Sequence, residues 1–191
     1  MSVVDLGASL RAERLRQGLS LRETARRLGI SASALSQIET GKAHPSVGKL
    51  FDIVNLLNVS VDGLLAGDGT AARGDQGFVS LQRAGEHETL ELESGVRWRR
   101  LTAGSYPGVE FLHVEYQPGG CSTGDGSFMR HAGQEFGYLL SGRLTIDVGF
   151  DAHQLGPGDS ISFPATIPHR LANDGTEPAV AIWCIVGRHV Q

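Results

Sequence analysis

The chain of 191 residues contains only two cysteines, Cys121 and Cys184, which lie 63 positions apart. Two cysteines at this separation do not indicate a disulfide framework. No apolar run approaches the ~18 residues that a membrane span needs, and the polar N-terminus does not resemble a signal peptide. We therefore expect a cytoplasmic protein without a membrane partner.

The chain also lacks an excess of basic residues, because its formal net charge is −4. This charge is unevenly spread: residues 1–66 hold eight basic and six acidic residues, whereas residues 67–191 hold nine and fifteen. The glycines are also unevenly spread, because six of the 26 lie in residues 1–66 and twenty in residues 67–191. We therefore expect a helical domain followed by a turn-rich one. A positive first domain is compatible with a nucleic-acid partner, since local charge is what meets the phosphates.

The most informative stretch runs from Ser20 to Lys42 and has the pattern of helix, tight turn and helix. Ser20 and Glu23 have the spacing of a capping box. Gly29 can form the turn, where a residue with positive φ is favoured. Ser31 is placed to cap the second helix. The outer face of that helix carries short polar side chains, which suit a helix lying in the major groove of DNA.

This stretch resembles the helix-turn-helix of XRE-type (phage-repressor-like) regulators, and the resemblance covers about Leu6 to Ala66. In that family an arginine at the position of Arg14 pairs with a glutamate at the position of Glu39. The resemblance implies binding to double-stranded operator DNA. Gln37 is a candidate for a base contact, because its amide can pair bidentately with adenine. The residues expected to contact DNA are Arg22, Ser31, Ala32, Ser33, Ser36, Gln37, Lys42, His44, Ser46 and Lys49.

Apolar residues at helical spacing predict a bundle of five helices in residues 1–66. One such domain makes too few contacts for specific recognition. We therefore expect a homodimer that reads two half-sites one helical turn apart. The predicted helices are Leu6 to Gln17, Leu21 to Leu28, Ala32 to Thr40, Val47 to Leu57 and Val61 to Leu65.

Residues 67–77 contain four glycines and no large apolar residue, which predicts a flexible linker. From Phe78 the apolar period changes to two, as in Leu144, Ile146 and Val148. Segments of this kind recur about every ten residues, with glycine and proline turns between them. This pattern predicts an antiparallel β sandwich or barrel over residues 78–191, and hence a multidomain α + β protein.

Two motifs in the second domain are more specific. The first runs from His131 to Gly142 and contains Glu135, and the second runs from Gly156 to Asn173 and contains His169. Together they resemble the two motifs of the cupin family, over about residues 105–186. The resemblance implies an antiparallel double-stranded β-helix barrel. It also implies that the two histidines and the glutamate point into the barrel, where family members bind a divalent metal.

The chain departs from the four-ligand pattern of that family, because Met129 stands where a further histidine is common. A thioether is a poor ligand for metals that take nitrogen and oxygen donors. The remaining set has two histidines and one carboxylate, as in non-haem iron sites. Two interpretations stay open: a divalent metal cofactor (Fe, Mn, Zn or Ni) held by these three residues, or hydrogen-bonded walls of an effector cavity. The residues expected to contact a small-molecule effector are His131, Glu135, His169, Met129 and Tyr138.

The two resemblances together predict a transcriptional regulator without enzymatic activity, whose cupin domain senses a small molecule. One alternative is a mononuclear non-haem iron oxidase. Hydroxypropylphosphonate epoxidases have the same order of domains, and their ligand motif resembles the segment from His131 to Phe136. A second alternative is a DNA-binding protein in which the cupin domain serves only as a dimerising scaffold.

Overall fold

A computed structural model describes residues 5–61, 64, 81–104, 106 and 108–187 of the chain. The predicted linker, residues 67–77, lies outside this set. No helix in the described part of the chain is long and apolar enough to cross a membrane. The helices are α1 (Leu6–Arg16), α2 (Leu21–Arg27), α3 (Ala32–Glu39) and α4 (Val47–Leu56). The strands are β1 (Thr89–Leu92), β2 (Val96–Arg100), β3 (Val109–Tyr116), β4 (Gln134–Ser141), β5 (Leu144–Val148), β6 (Asp151–Leu155), β7 (Ser160–Pro164), β8 (His169–Ala172) and β9 (Ala179–Val186).

The helix starts follow from capping side chains. The hydroxyls of Ser20, Ser31 and Ser46 each accept a hydrogen bond from the amide three residues on, at 3.2, 3.0 and 3.3 Å. Each serine also has the extended backbone of an N-cap. The predicted starts are therefore confirmed. Each helix ends one residue before the predicted end, because the last predicted residue is in each case the C-cap.

The predicted fifth helix, Val61 to Leu65, lies partly outside the described residues. Val61 and Leu64 are helical and buried. The amide of Leu64 also donates to the carbonyl of Ser60 at 3.1 Å. Within the described ranges the chain therefore has four complete helices and not the five predicted.

Helices α1 and α3 are held together by close backbone approach and by a buried ion pair. A Cβ atom at Gly7 would lie 2.4 Å from the carbonyl oxygen of Ile38, so only glycine fits there. The guanidinium of Arg14 donates to both carboxylate oxygens of Glu39, at 2.6 and 2.8 Å, and to the carbonyl of Leu19 at 2.7 Å. This confirms the predicted pairing of Arg14 with Glu39.

The second domain is built from two antiparallel sheets, as the period-two pattern predicts. One sheet has six strands in the order β1-β2-β3-β9-β4-β7, and the other has three in the order β6-β5-β8. Along β9 every second side chain is buried, as the alternation requires. The strands also alternate in β3 and β4, so each places one set of side chains in the core and the other on the surface.

Helix α4 packs directly on the β domain. The amide of Gly48 donates to the carbonyl of Ser122 at 3.0 Å, and the amide of Glu93 donates to the carbonyl of Pro45 at 3.0 Å. The ring of Phe51 is 2% exposed and belongs to a hydrophobic core that continues into the β domain. The two domains therefore share an apolar core at α4.

Candidate functional site

Three ionisable side chains meet inside the barrel. Glu135 lies on the inward face of β4, His169 begins β8, and His131 lies four residues before Glu135. Their side chains are 2%, 0% and 0% exposed. The amide of His131 donates to the carbonyl of Ala165 at 3.0 Å, which fixes the segment before β4. The structure thus brings together the three residues that the two motifs single out.

Backbone carbonyls fix the orientation of both imidazole rings. Nδ1 of His131 lies 2.9 Å from the carbonyl oxygen of Ala132, and Nδ1 of His169 lies 2.8 Å from that of Ile167. A carbonyl oxygen can only accept, so each Nδ1 carries a hydrogen. In a neutral ring, Nε2 then keeps its lone pair. Both Nε2 atoms face Glu135, at 2.8 and 3.1 Å from its Oε1.

The carboxylate of Glu135 is held ionised. Burial by itself raises its pKa, but the contacts with His131 and His169 outweigh burial and lower the pKa to about 2. Burial also lowers the pKa of His169, whereas the neighbouring carboxylate raises it, and the net direction is upward. An anionic oxygen and two nitrogen lone pairs at these distances repel each other unless positive charge lies between them. Protons on the rings or a metal ion can supply that charge.

The geometry around Glu135 Oε1 fits a metal ion. Despite the short distances, this atom and the two Nε2 atoms have no partner with hydrogen-bond geometry in the described part of the chain. One ligand atom from each residue lies within 4.8 Å of the others. Neutral imidazole and carboxylate are suitable donors for Fe, Mn, Zn or Ni. The residues present therefore fit a divalent metal.

Trp183 orients the carboxylate, and sequence analysis did not identify this role. Its indole N–H donates to Oε2 of Glu135 at 2.8 Å, which leaves Oε1 for the two histidines. The indole ring occupies the space beside Gly137, where a Cβ atom would lie 2.1 Å from the ring. A hydrogen bond of this kind fixes a ligating carboxylate in metal sites. No local signal marks this pair, because Gly137 and Trp183 become neighbours only through the register of β4 with β9.

Aromatic rings cover the two histidines. The ring of Phe163 lies 5.1 Å from that of His169, between centroids. The ring of Phe51 lies 4.3 Å from that of His131 and 5.7 Å from that of Trp98. Phe51 belongs to α4, so a residue of the helical domain forms part of the wall of the three-residue site.

Two further residues were expected to contact an effector. Met129 is buried, and its backbone pairs with His169 as an antiparallel bridge. A Cβ atom at Gly48 would touch its side chain at 3.4 Å, so Met129 also borders α4. Tyr138 requires a correction. It is 47% exposed and lies on the face of β4 opposite Glu135, because an odd separation along a strand reverses the side.

The candidate DNA-contacting residues of α2 and α3 lie mostly on the surface. Ser31, Ser33 and Gln37 are exposed, and Ala32 and Ser36 are half-buried. The turn after α3 adds exposed basic groups, and α2 adds one more. The exposed residues of this set outside α3 are Arg22, Lys42 and His44.

Two further candidate phosphate contacts, Ser46 and Lys49, lie near the domain junction. Ser46 is 9% exposed, and its hydroxyl caps α4. The amide of Gly48, in the first turn of α4, donates to the β domain. Lys49 is half-buried, and its ammonium group donates to the carbonyl of Leu28 at 3.3 Å and to Asp52 at 3.0 Å. The N-terminus of α4 therefore lies at the junction of the two domains, beside the β domain.

A cleft of about 720 Å³ separates the end of α3 from the loop that precedes β4. Gln37 and His44 border it on the helical side, and Asp125 and Phe128 border it on the other. The cleft is lined by residues of both domains. The β domain therefore lies beside the exposed end of α3.

Comparison with known proteins gives matches over both domains. Residues 10–64 match the family model for a helix-turn-helix, and residues 112–185 match that for a cupin domain. The chain is 26% identical over 169 residues to the HTH-type transcriptional regulator PuuR of Escherichia coli (strain K12). That alignment covers 87% of this chain and 86% of PuuR.

Two solved structures are similar to the chain over almost its whole length. An HTH_3 family transcriptional regulator from Vibrio cholerae has a TM-score of 0.65 at 22% identity, covering 96% of both chains. Hydroxypropylphosphonic acid epoxidase from S. wedmorenis has a TM-score of 0.48 at 22% identity, covering 96% of this chain and 98% of the other. The first likeness shows a common fold, and the second is too weak to support a shared function.

Proposed function

The chain belongs to the XRE-type helix-turn-helix proteins with a C-terminal cupin domain, and from this premise we propose that it is a sequence-specific transcriptional regulator. This proposal rests on the exposed polar face of α3, where the side chains of Ser33 and Gln37 do not pack in the hydrophobic core. Side chains of this kind contact base edges when a helix lies in the major groove. Arg22 and Lys42 are placed to contact phosphates of double-stranded operator DNA.

A binding experiment tests this function. The full chain is incubated with sheared genomic DNA at about 0.15 M salt, and the retained fragments are sequenced. Wild type should retain a small, reproducible set of fragments, whereas Gln37→Ala should retain that set less selectively. Arg143→Ala, on the β domain, is the matched control and should behave as wild type. Retention by wild type without any enriched set would refute the proposal.

The second part of the proposal is that the cupin domain senses a small-molecule effector. Its support is the contact between Phe51 of α4 and His131 of the three-residue site. A molecule that binds beside His131 has to contact or displace Phe51. Because Phe51 belongs to α4, such a molecule also affects the position of the helical domain. Such a ligand binds two arrangements of the domains with different affinity, which is the thermodynamic condition for regulation.

The third part is that His131, Glu135 and His169 hold a divalent metal. The converging lone pairs and the hydrogen bond from Trp183 support this assignment. A bound metal would supply a Lewis acid that anchors an oxygen or nitrogen atom of the effector. Within this chain, Trp183 keeps Glu135 oriented, and the carbonyls of Ala132 and Ile167 keep the histidine Nε2 atoms directed at the same point.

Elemental analysis tests the metal. The protein is loaded with each of Fe, Mn, Zn and Ni, passed through a desalting column, and assayed for bound metal. Wild type and His153→Ala, which changes an exposed histidine on β6, should retain one equivalent of a preferred metal. His169→Ala should retain far less. Equal retention by all three proteins, or by none, would favour a metal-free effector cavity.

An iron oxidase is a second candidate function, favoured by the two-histidine, one-carboxylate donor set. One observation weighs against it. The guanidinium of Arg170, next to His169 in the chain, is bound by Asp147 at 2.7 Å, so it is not placed to pair with an anionic substrate. An anaerobic iron titration followed by exposure to oxygen tests it. Absence of stoichiometric iron binding would rule out the oxidase.

The remaining alternative is a cupin domain that only holds two copies together. A thermal-shift screen of metabolite classes distinguishes it from a sensor, because a ligand that binds only the folded state raises the unfolding temperature. A shift with one class, lost in His169→Ala, supports a sensor. No shift with any class supports a scaffold.

A further inference from the structure

A buried hydrogen-bond donor of the β domain lacks an acceptor. Trp98 lies in the middle of β2, on the buried face of that strand, and is 3% exposed. Its indole nitrogen Nε1 has no hydrogen-bond partner among the residues that the structure describes. Buried tryptophan N–H groups usually have a partner, because an unpaired buried donor costs free energy. A buried donor without one therefore marks a place where a ligand can supply the acceptor.

The second tryptophan of the chain shows what Trp98 lacks. The indole N–H of Trp183 donates to Oε2 of Glu135 at 2.8 Å and so belongs to the three-residue site. Trp183 is 4% exposed, so the two indoles are buried to nearly the same degree. Burial alone therefore does not explain the difference. Of the two indole donors, that of Trp98 is the unused one.

The ring of Phe51 lies between Trp98 and the three-residue site. Its centroid is 5.7 Å from that of the Trp98 ring and 4.3 Å from that of the His131 ring. A molecule that takes the place of the Phe51 ring would lie against Trp98 on one side and His131 on the other. Such a molecule can offer an oxygen to the indole N–H, whereas the phenyl ring has no oxygen to offer.

The surroundings of Trp98 favour an uncharged acceptor. Arg100 lies on the same face of β2, but its guanidinium donates to Glu88 at 2.8 Å, so its charge is already balanced. The indole N–H is a single neutral donor. A hydroxyl group on the ligand would bring a donor that needs an acceptor of its own in buried surroundings. A carbonyl oxygen only accepts, so it matches this donor best.

We propose that Trp98 binds the effector, and that the effector is a small, uncharged compound with a ring and a carbonyl group. The ring takes the place of the Phe51 ring, and the carbonyl oxygen accepts a hydrogen bond from Nε1 of Trp98. This inference rests on the proposed effector sensing, because a ligand that displaces Phe51 also acts on α4.

Phe51→Ala tests the binding chemistry in the full chain with two defined probes. Removal of a buried ring leaves an apolar cavity, and a dry cavity of about 150 Å³ takes up a benzene-sized molecule. Acetophenone and ethylbenzene have nearly the same shape and differ in the carbonyl oxygen. Nitrogen-15 labelling gives two indole N–H signals, one from each tryptophan, which Trp98→Phe assigns. Acetophenone should move the Trp98 signal further downfield than ethylbenzene does.

Affinities provide the second measurement. The preference for acetophenone is the ratio of the two dissociation constants, and it should fall about tenfold when Trp98→Phe is added to Phe51→Ala, because one hydrogen bond is lost. Phe163→Ala is the matched control, since it removes a buried ring that packs on His169. Its preference should not change when Trp98→Phe is added. Wild type should bind acetophenone more weakly than Phe51→Ala, because its own ring has to leave.

Circular dichroism checks that each variant is folded, and Phe51→Leu is a milder variant should Phe51→Ala not fold. A preference that is the same with and without the Trp98 indole would overturn the proposal. Failure of both probes to bind a folded Phe51 variant would overturn it as well.

These measurements separate the role of Trp98 from sensing itself. If Trp98 gives the preference for acetophenone, but no metabolite of the thermal-shift screen alters DNA retention by wild type, the binding residue stands and sensing fails. If a metabolite alters DNA retention without moving the Trp98 signal, sensing stands and the role of Trp98 fails. A metabolite that does both in wild type, and neither in Trp98→Phe, would support both.

Discussion

Phe51→Ala is the change that most sharply tests the packing of the two domains on each other. The side chain is 2% exposed and contacts the rings of Trp98 and His131. Truncation of a buried phenylalanine costs about 3–5 kcal/mol through lost burial and the remaining cavity. The cost should appear in both domains, since the ring lies between them.

Urea unfolding with two probes measures this effect. Both tryptophans, Trp98 and Trp183, lie in the β domain, so fluorescence follows the barrel, whereas circular dichroism at 222 nm is dominated by the helices. In wild type the two transitions should coincide, as in a cooperative unit. In Phe51→Ala both transitions should move to lower urea, the helical one further, so that the two no longer coincide.

Phe150→Ala is the matched control for Phe51→Ala. Phe150→Ala removes the same atoms from a fully exposed position and should change the free energy of unfolding by no more than about 0.5 kcal/mol. If Phe51→Ala costs less than about 1 kcal/mol, or leaves the two transitions coincident, α4 does not join the domains as described. Effector sensing through Phe51 would then be contradicted as well.

Three further changes test other contacts. Gly137→Ala should destabilise the barrel by about 1–3 kcal/mol through overpacking against Trp183 and should weaken metal retention. Gly156→Ala should do neither, because its Cβ atom would meet only an Asp159 oxygen at an ordinary contact distance of 3.7 Å. Urea unfolding and elemental analysis measure the two effects. Glu39→Ala should lower the free energy of unfolding by about 3–5 kcal/mol, because it leaves the buried guanidinium of Arg14 on α1 unpaired. Urea unfolding measures this, and a loss below about 1 kcal/mol would contradict it. Gln37→Ala should weaken binding to a selected operator by about 1–3 kcal/mol in anisotropy titrations and leave affinity for unselected DNA unchanged; an equal loss on both duplexes would make it a backbone contact.

Local features were predictable from the sequence. The caps at Ser20, Ser31 and Ser46 lie within three residues of the amides they bind, so the residue types alone indicate where the helices start. The alternation of apolar residues likewise indicates the strands. The convergence of His131 and Glu135 with His169 was also predictable, but only through the resemblance of two separate motifs to one family.

Contacts between distant elements were not predictable. Ser46 has the spacing of a helix cap, and nothing in the local sequence shows that the β domain covers it. Phe51 fits the apolar face of α4 whether or not a second domain is present. Tyr138 was expected to contact an effector, yet the period of two along β4 places it on the outer face. Gly137 and Trp183 are 46 residues apart in the chain, and only the register between β4 and β9 makes them neighbours.

Recognition of operator DNA by this chain can be measured by selection from a random-sequence duplex pool. The full chain is taken through several rounds at about 0.15 M salt, and the enriched duplex is then titrated across salt concentrations. We predict a palindromic motif with half-sites about one helical turn apart. Binding that stays unselective after repeated rounds would contradict the account.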